Sequence, residues 1–185
     1  AAHASEAGYF KSQITPLELT ARRKTVTFDN DEFIRAETTT ESLASLRAAF
    51  IKDGLVTAGN SSGINDGTAS LVLANSAALE THKVNPLARI IAYGFGGVPP
   101  RIMGMGPVPA SEMALERSGL SVDDLDLIES NEAFAAQACA VSRQLNLDPA
   151  RVNPNGGAIA LGHPVGATGA IIMTKLIHEL YRING

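Results

Sequence analysis

A single histidine lies inside a glycine-rich stretch that runs from Asn153 to Gly169, and a helical pattern follows it directly. Apolar residues recur at helical intervals from Ile171 to Leu180, which predicts a helix that ends at about Tyr181. Proline is tolerated in a first helical turn, where its missing N–H would be unpaired anyway, so Pro164 places His163 at or just before the helix start. The positive end of a helix disfavours a further positive charge, so we expect a neutral imidazole that can accept a proton or donate one hydrogen bond.

A single histidine near a helix start is usually a surface or capping residue, and that alternative stays open for His163 taken alone. Its setting favours a functional role, because glycines carry no side chain and let a substrate or a second backbone come close. The glycines in question are Gly156, Gly157, Gly162, Gly166 and Gly169.

A second polar motif, Ser130 to Gln137, lies where a short predicted strand at residues 125–129 meets a predicted helix at residues 131–145. Ligand sites in open α/β sheets favour such an edge. Asn131 offers a side-chain amide that can hold a water molecule or an oxyanion. Asparagine is also a preferred helix N-cap, so capping is the alternative for Asn131, and Glu132 would then support the helix dipole.

Strand and helix patterns alternate in the second half of the chain, which predicts an α/β fold. Strands are predicted at residues 26–28, 69–74, 87–95 and 125–129, and the run at 69–74 is expected to be buried. Helices are predicted at residues 1–7, 38–50, 76–82, 131–145, from a Ser111 cap to Gly119, and from Pro164 onward. Residues 103–107 indicate a glycine loop, and the basic cluster Arg22-Arg23-Lys24 is more often a solvated loop than a binding site.

Composition argues against several classes of function. The net charge of −4 disfavours a general nucleic-acid-binding surface. No apolar run reaches about eighteen residues, so no membrane-spanning helix is predicted. Cys139 is the only cysteine, which excludes a disulfide within the chain and a cysteine-based zinc site. Its place on an alanine-rich helix predicts a buried, unreactive thiol, and we expect no metal site.

Taken together, the two polar motifs resemble those of the thiolase family. The resemblance rests on Asn131-Glu132-Ala133-Phe134-Ala135, on Asn155-Gly156-Gly157-Ala158 and on the run from Gly162 to Gly169. It extends to residues 46–50, 54–67 and 103–109, so it covers nearly the whole chain. The sequence is most similar to the biosynthetic, acetoacetyl-CoA-forming branch of that family.

The resemblance implies roles for individual residues. His163 resembles the family's histidine that activates the nucleophilic cysteine and lines an oxyanion hole, and Asn131 resembles the asparagine that holds the water completing that hole. Fixed donors aimed at the oxyanion of an attacked thioester lower the barrier. The other residues would bind coenzyme A and the acyl group: Ser62 near the pantetheine arm, Arg35 and Ser42 near the adenine nucleotide, and Phe50, Met103, Ala133 and Phe134 along the acyl and pantetheine tunnel. For Phe50, Met103 and Phe134 the alternative is ordinary core packing.

The family uses two cysteines, and we expect both to lie outside this chain, the nucleophile before Ala1 and an acid/base cysteine after the last helix. Cys139 has neither a glycine loop nor an adjacent base. The resemblance implies an α/β, thiolase-like fold, layered α-β-α-β-α in the intact protein and only partly present in this chain. Residues 1–64 would be the later half of the loop domain on the coenzyme A side. Residues 65–86 would end the N-terminal core half, and residues 87–185 would be the C-terminal core half lacking its last strands.

The implied activity is the condensation of two acetyl-CoA molecules to acetoacetyl-CoA and CoA, or the reverse thiolysis. The coenzyme A thioester would be the substrate, with no separate cofactor. Two alternatives stay open: a non-catalytic, thiolase-like acyl-CoA-binding subunit or remnant, and a degradative 3-ketoacyl-CoA thiolase. The resemblance also implies a homodimer or homotetramer in the cytoplasm or an organellar matrix, with no nucleic-acid or membrane partner.

Overall fold

A computed structural model describes residues 1–21 and 24–184 as seven α-helices, two β-strands and two 3-10 helices. The helices are α1 (Ala2–Glu6), α2 (Thr40–Ala44), α3 (Ser76–His82), α4 (Pro107–Ser118), α5 (Ala135–Gln144), α6 (Ala158–Leu161) and α7 (Thr168–Ile183). The strands are β1 (Leu17–Ala21) and β2 (Lys24–Phe28), and the 3-10 helices span Pro100–Met105 and Val122–Asp124. Arg22 and Arg23, for which a solvated loop was predicted, lie outside the described residues.

The two strands form an antiparallel hairpin. Strand β2 confirms the strand predicted at residues 26–28, whereas its partner β1 was not predicted. Every residue of β2 is exposed, so burial contributes little to the pairing. Hydrogen bonds across the strands support the ladder instead: Thr27 Oγ1 donates to Glu18 Oε1 at 2.6 Å, and the Thr20 and Thr25 hydroxyls lie 3.1 Å apart.

Helix α3 has the predicted bounds, and the Asn75 side chain caps it by accepting from the Ala78 N–H at 2.9 Å. The helix predicted at residues 38–50 is wrong in length, because α2 stops at Ala44. The chain beyond α2 turns back on itself instead: the Ala49 N–H donates to the Val56 carbonyl at 2.8 Å. That local pairing satisfies backbone groups that a longer helix would have used.

Helix α4 begins at Pro107 rather than at the predicted Ser111 cap, because proline suits a first helical turn. It ends as predicted at Gly119, which adopts a left-handed conformation with φ of 70°. The glycine loop predicted at residues 103–107 is also wrong, since the 3-10 helix Pro100–Met105 occupies most of it. Cys139, on α5, is exposed, which corrects the expected buried thiol. The buried residue of α5 is Val141, about 200° away around the helix axis.

The predicted strands at residues 69–74 and 87–95 have no hydrogen-bonded ladder within the described part of the chain, and the described residues do not bury residues 69–74 as expected. Val72, at its centre, is 96% exposed. From Ile91 to Phe95 exposure alternates residue by residue, as in a strand with one covered face. Segment 125–129 pairs only at Ile128, through a parallel bridge to Val152. A strand needs a neighbouring strand, and an apolar sequence does not provide one by itself.

Helix α7 carries three buried polar residues, Thr168, Lys175 and Glu179, and contacts the N-terminal segment. The His178 ring lies 2.9 Å from the Ser12 hydroxyl, and the Arg182 guanidinium lies 4.1 Å from the centre of the Tyr9 ring. Of the described helices, none is long and apolar enough to cross a membrane.

An ion pair joins the middle of α7 to the segment that precedes the second polar motif. Lys175 Nζ donates to Glu129 Oε2 and to the Gly156 carbonyl, each at 2.7 Å. The two side chains are only 9% and 2% exposed, respectively. Burial raises the pKa of Glu129, while the positive charge of Lys175 acts in the opposite direction. The pair therefore fixes α7 against Glu129, and each charge depends on the other.

We predict that Lys175→Met in the intact protein lowers the free energy of unfolding by about 3–5 kcal/mol, because Glu129 is left buried without its partner. The double variant Glu129→Leu with Lys175→Met should lose less, since it leaves no unpaired charge. Urea unfolding followed by circular dichroism measures both. Lys52→Met, at an exposed lysine, is the matched control. Equal losses in the single and double variants would contradict a coupled pair.

Candidate active site

Three stretches of the chain meet around His163: residues 60–65, residues 130–135 and residues 153–168. Backbone bonds join the first two, since the Ala135 N–H donates to the Asn60 carbonyl at 2.9 Å and Ser61 pairs with Phe134. The third stretch, residues 153–168, is joined to the first two mainly through polar side chains. The site is therefore assembled from segments that are distant in sequence.

The carboxamide of Asn153 holds the second stretch to the third. Its Oδ1 accepts from the Ser130 N–H, and its Nδ2 donates to the Ser130 carbonyl, each at 2.8 Å. These two bonds continue the parallel bridge between Ile128 and Val152 as far as Ser130, with a side chain in place of a backbone. Asn153 is only 8% exposed and takes a left-handed φ of 46°, a conformation that asparagine tolerates better than most residues.

The carboxylate of Glu132 lies beneath the glycine loop. It accepts from Asn153 Nδ2 and from the backbone N–H of Ile159, each at 3.2 Å. Ile159 is in the first turn of α6, so the Glu132 carboxylate supports the N-terminus of α6. The sequence had instead predicted that Glu132 would support the dipole of α5. Gly157 permits this arrangement, because a Cβ at this position would overlap the carboxylate.

His163 makes three polar contacts. Its backbone N–H donates to Asn65 Oδ1 at 3.2 Å, its ring Nδ1 lies 2.7 Å from Thr168 Oγ1, and its ring Nε2 lies 3.4 Å from Asn131 Nδ2. Gly162, just before it, has a φ of 98° and lies against the Asn65 side chain, where a Cβ would overlap. The loop therefore fixes both the backbone and the ring of His163.

The geometry corrects three expectations. Asn131 is not a helix N-cap, since α5 begins at Ala135 and Phe134 occupies the cap position. Its amide faces His163 instead. Nor does His163 adjoin a helix start: residues 164–167 form a turn, and α7 begins at Thr168. The dipole argument for His163 therefore lacks its basis, because the effect falls off within the first turn.

Ser62, Ala133 and Phe134 belong to the same cluster. The backbone N–H and the hydroxyl of Ser62 both donate to the Ala133 carbonyl, at 3.0 and 3.1 Å. The ring of Phe134 is partly exposed, at 38%, so it is not an ordinary core residue. The three residues thus line the side of the cluster where residues 60–62 run beside the second motif.

The structure connects the four other predicted binding residues to neither His163 nor Asn131 through any described hydrogen bond. Arg35 is exposed, and the Ser42 hydroxyl is engaged in the capping box of α2, where it donates to the Thr39 carbonyl at 2.8 Å. Phe50 and Met103 are 74% and 76% exposed, so neither packs into a core formed by the described residues. Their place in a binding site stays a prediction.

Sequence reasoning missed three residues that shape the site: Asn65, Asn153 and Thr168. Each has a weak signal in the sequence. Asn65 lies two residues from a glycine on either side and Asn153 precedes a proline, which marks turns, and Thr168 lies five positions after His163. None of these signals shows which distant residue the side chain would meet.

Two further features bear on chemistry. Asn131 Oδ1 is buried and accepts no hydrogen bond from the described residues, so the amide has one unused acceptor facing the site. Across residues 1–21 and 24–184, no group of three or more histidine, cysteine, aspartate or glutamate side chains could hold a metal ion. The groups that the described residues bring together for chemistry are therefore His163 Nε2 and the side-chain amide of Asn131, both partly buried.

We predict that Gly157→Ala destabilises the intact protein by about 1–3 kcal/mol, the usual cost of forcing extra volume into a filled space. The added methyl must displace the Glu132 carboxylate from both of its partners. Gly169→Ala is the matched control, because a Cβ there meets nothing within 4 Å and the position is helical. Urea unfolding of both variants is the measurement. Equal stability of the two variants would contradict the role of the close approach.

Two family models match the chain. The model described as thiolase, C-terminal domain, matches residues 84–185, and the model described as thiolase, N-terminal domain, matches residues 1–77. The first covers more than half of the chain. The finer division at residues 64 and 86 stays a prediction.

Named relatives agree with these matches. The beta-ketothiolase BktB of Cupriavidus necator is 55% identical over 100% of this chain and 47% of its own length. The acetyl-CoA acetyltransferase of Escherichia coli is 54% identical over 97% of this chain and 46% of its own length. The chain thus spans about half the length of the curated relatives it matches.

A solved structure gives the same result. The crystal structure of the Bacillus anthracis acetyl-CoA acetyltransferase superposes with a TM-score of 0.96 at 52% identity, over 100% of this chain and 47% of that one. The thiolase-like α/β fold predicted from the sequence is confirmed for the part present here. The chain belongs to the thiolase family.

Proposed function

We propose that the intact protein is an acyltransferase that condenses two acetyl-CoA molecules to acetoacetyl-CoA and CoA, or catalyses the reverse thiolysis. The observation that carries the proposal is the approach of Asn131 Nδ2 to His163 Nε2, at 3.4 Å, in a partly buried site. A basic nitrogen and a fixed amide at one point suit the activation of a nucleophile and the stabilisation of an oxyanion.

In the first half-reaction, His163 Nε2 accepts the proton of a cysteine thiol supplied by another part of the protein. The thiolate attacks the thioester carbonyl, a new carbon–sulfur bond forms, and the carbonyl oxygen gains negative charge. The protonated Nε2 and a water held by Asn131 donate hydrogen bonds to that oxygen. When the carbonyl bond re-forms, the carbon–sulfur bond to coenzyme A breaks, and the departing thiolate takes the proton from His163 Nε2.

In the second half-reaction, a second acetyl-CoA loses a methyl proton to the other cysteine. Its carbanion attacks the acetyl-cysteine carbonyl, a carbon–carbon bond forms, and the carbon–sulfur bond to the enzyme breaks. The nucleophilic cysteine leaves as a thiolate and takes the methyl proton from the other cysteine, which returns to its own thiolate form. Dividing the reaction in this way replaces one difficult step by two easier ones. The coenzyme A thioester is the substrate, and no separate cofactor takes part in this scheme.

The proposal assigns Ser62, Ala133 and Phe134 to the binding of pantetheine and the acyl group. Their support is the pair of bonds from Ser62 to the Ala133 carbonyl, beside Asn131. Arg35 and Ser42 at the adenine nucleotide, and Phe50 and Met103 at the tunnel, rest on the resemblance and on their exposure.

The apolar extended segments fit a chain that pairs with further strands in the intact protein. Val72 and Leu73 are 96% and 73% exposed, and Tyr93 and Phe95 are 70% and 67% exposed. Runs of this kind are buried on both faces in layered α/β proteins. We propose that the intact protein covers them in its layered core, forms a homodimer or homotetramer, and works in the cytoplasm or an organellar matrix.

His163→Ala in the intact protein should abolish thiolysis of acetoacetyl-CoA, because no group then takes the thiol proton. The circular dichroism spectrum should be unchanged, which separates lost chemistry from lost structure. His82→Ala, at the end of the exposed helix α3, is the matched control and should keep normal turnover. Near-normal turnover in His163→Ala would overturn the role assigned to His163, whereas a wild-type protein that binds acyl-CoA without any turnover would favour the non-catalytic acyl-CoA-binding protein.

Asn131→Ala should raise the activation barrier by about 2.7–4 kcal/mol, the typical loss for one oxyanion donor. The effect should appear in kcat, since the charge on the oxygen develops only in the transition state. Steady-state kinetics with acetoacetyl-CoA and CoA are the measurement. A variant that melts at a lower temperature but turns over at the normal rate would limit Asn131 to a structural role.

A further inference from the structure

We propose that Thr168 is a positioning residue that holds neutral His163 in the tautomer with its proton on Nδ1, which leaves Nε2 as the basic nitrogen. The inference rests on the proposed function and deepens it, since it names what sets the base. Thr168 touches neither the reacting atoms nor Asn131 in the described contacts. It acts through the far side of the imidazole ring.

The assignment follows from counting protons at one hydroxyl. Thr168 Oγ1 lies 2.9 Å from the Pro164 carbonyl oxygen and 2.7 Å from His163 Nδ1. A carbonyl can only accept, so the contact with Pro164 uses the hydroxyl proton of Thr168. With the hydroxyl proton used in this way, the bond to the ring takes its proton from Nδ1–H. A neutral imidazole carries one ring proton, so Nε2 has a free lone pair.

Asn131 supports the same tautomer independently. Its Nδ2 faces Nε2 at 3.4 Å, and an amide nitrogen can only donate. A proton on Nε2 would therefore place one N–H donor against another, whereas a lone pair on Nε2 can accept a hydrogen bond from Asn131 Nδ2. The buried Oδ1 of Asn131 accepts no hydrogen bond from the described residues.

The turn after His163 holds the threonine hydroxyl in place. The backbone N–H groups of Ala167 and Thr168 both donate to the Pro164 carbonyl at 2.8 Å, and the hydroxyl donates to the same oxygen. Thr168 is 7% exposed, so water competes little for its hydroxyl. The bond from the backbone N–H of His163 to Asn65 fixes the loop backbone that carries the ring.

The consequence for the reaction is that His163 takes and returns its proton at one atom. Uptake of a proton at Nε2 gives an imidazolium with both nitrogens protonated. The Thr168 oxygen still accepts from Nδ1–H, so the proton that leaves again is the one on Nε2. Positioning of this kind by a hydrogen bond on the far ring nitrogen is a general means of fixing a functional histidine.

The test compares three variants of the intact protein. Thr168→Val removes the hydroxyl, and Thr168→Ser retains it. Thr174→Val is the matched control, because Thr174 makes the same bond to the carbonyl four residues earlier, Ala170, at 2.9 Å on the same helix. Nitrogen-15 NMR of histidine-labelled protein reports which ring nitrogen carries the proton, with His163→Ala used to assign the signal. Steady-state kinetics separate kcat from KM.

We expect the Nδ1–H tautomer for His163 in the wild-type protein, in Thr168→Ser and in Thr174→Val. Thr168→Val should show a mixture of tautomers and a fall in kcat on the order of 10–100-fold, with KM little changed. An Nε2–H signal in the wild-type protein would overturn the inference without any variant, so a variant that does not fold leaves it testable. A Thr168→Val protein with the wild-type tautomer and kcat would also overturn it. The tautomer is read without turnover, so this failure is distinct from failure of the proposed function, which His163→Ala decides.

Discussion

The site depends first on the pairing of the Asn153 carboxamide with the backbone of Ser130. The parallel bridge at Ile128 and Val152 brings two segments together over a single residue, which is too short to fix the loops that follow. The two side-chain bonds, each at 2.8 Å, continue that bridge to the residue before Asn131. Each is worth about 0.5–1.5 kcal/mol in net stability, but losing one would leave buried polar groups unpaired at a larger cost. The register of the two motifs is therefore set by a side chain.

Polar contacts, more than apolar packing, hold the rest of the site. The Glu132 carboxylate bridges Asn153 and the first turn of α6, and Lys175 bridges Glu129 and the Gly156 carbonyl. Hydrogen bonds in such surroundings are strong and directional, and a network of them permits few alternative arrangements. An apolar core tolerates sliding of one surface over another far better. Polar contacts of this kind suit a site in which a ring nitrogen and an amide must keep a fixed separation.

The sequence predicted the local features best. Helix α3 and the end of α4 follow from capping residues, and the two motifs were identified as one site through the family resemblance. The strands at residues 69–74 and 87–95 could not be settled, because a strand is defined by its neighbour and no local pattern supplies one. The local sequence explains Asn131 equally well as a helix cap and as a functional amide. Only its position opposite His163 distinguishes these two roles. Cys139 was misjudged because an alanine-rich helix does not reveal which of its faces is covered.

The turn at residues 164–167 changes how the protonation of His163 is controlled. A histidine directly at a helix start would be influenced mainly by the dipole, which acts on total charge and does not distinguish the two ring nitrogens. Four residues separate His163 from α7, so the dipole is weakened and the nearest hydrogen-bond partners dominate. Thr168 and Asn131 lie on opposite sides of the ring and differ in what they can accept or donate. The loop thus controls each ring nitrogen of His163 through its own hydrogen-bond partner, where a helix dipole would act on the ring as a whole. A base that must take up its proton at a single atom requires that distinction between the two nitrogens.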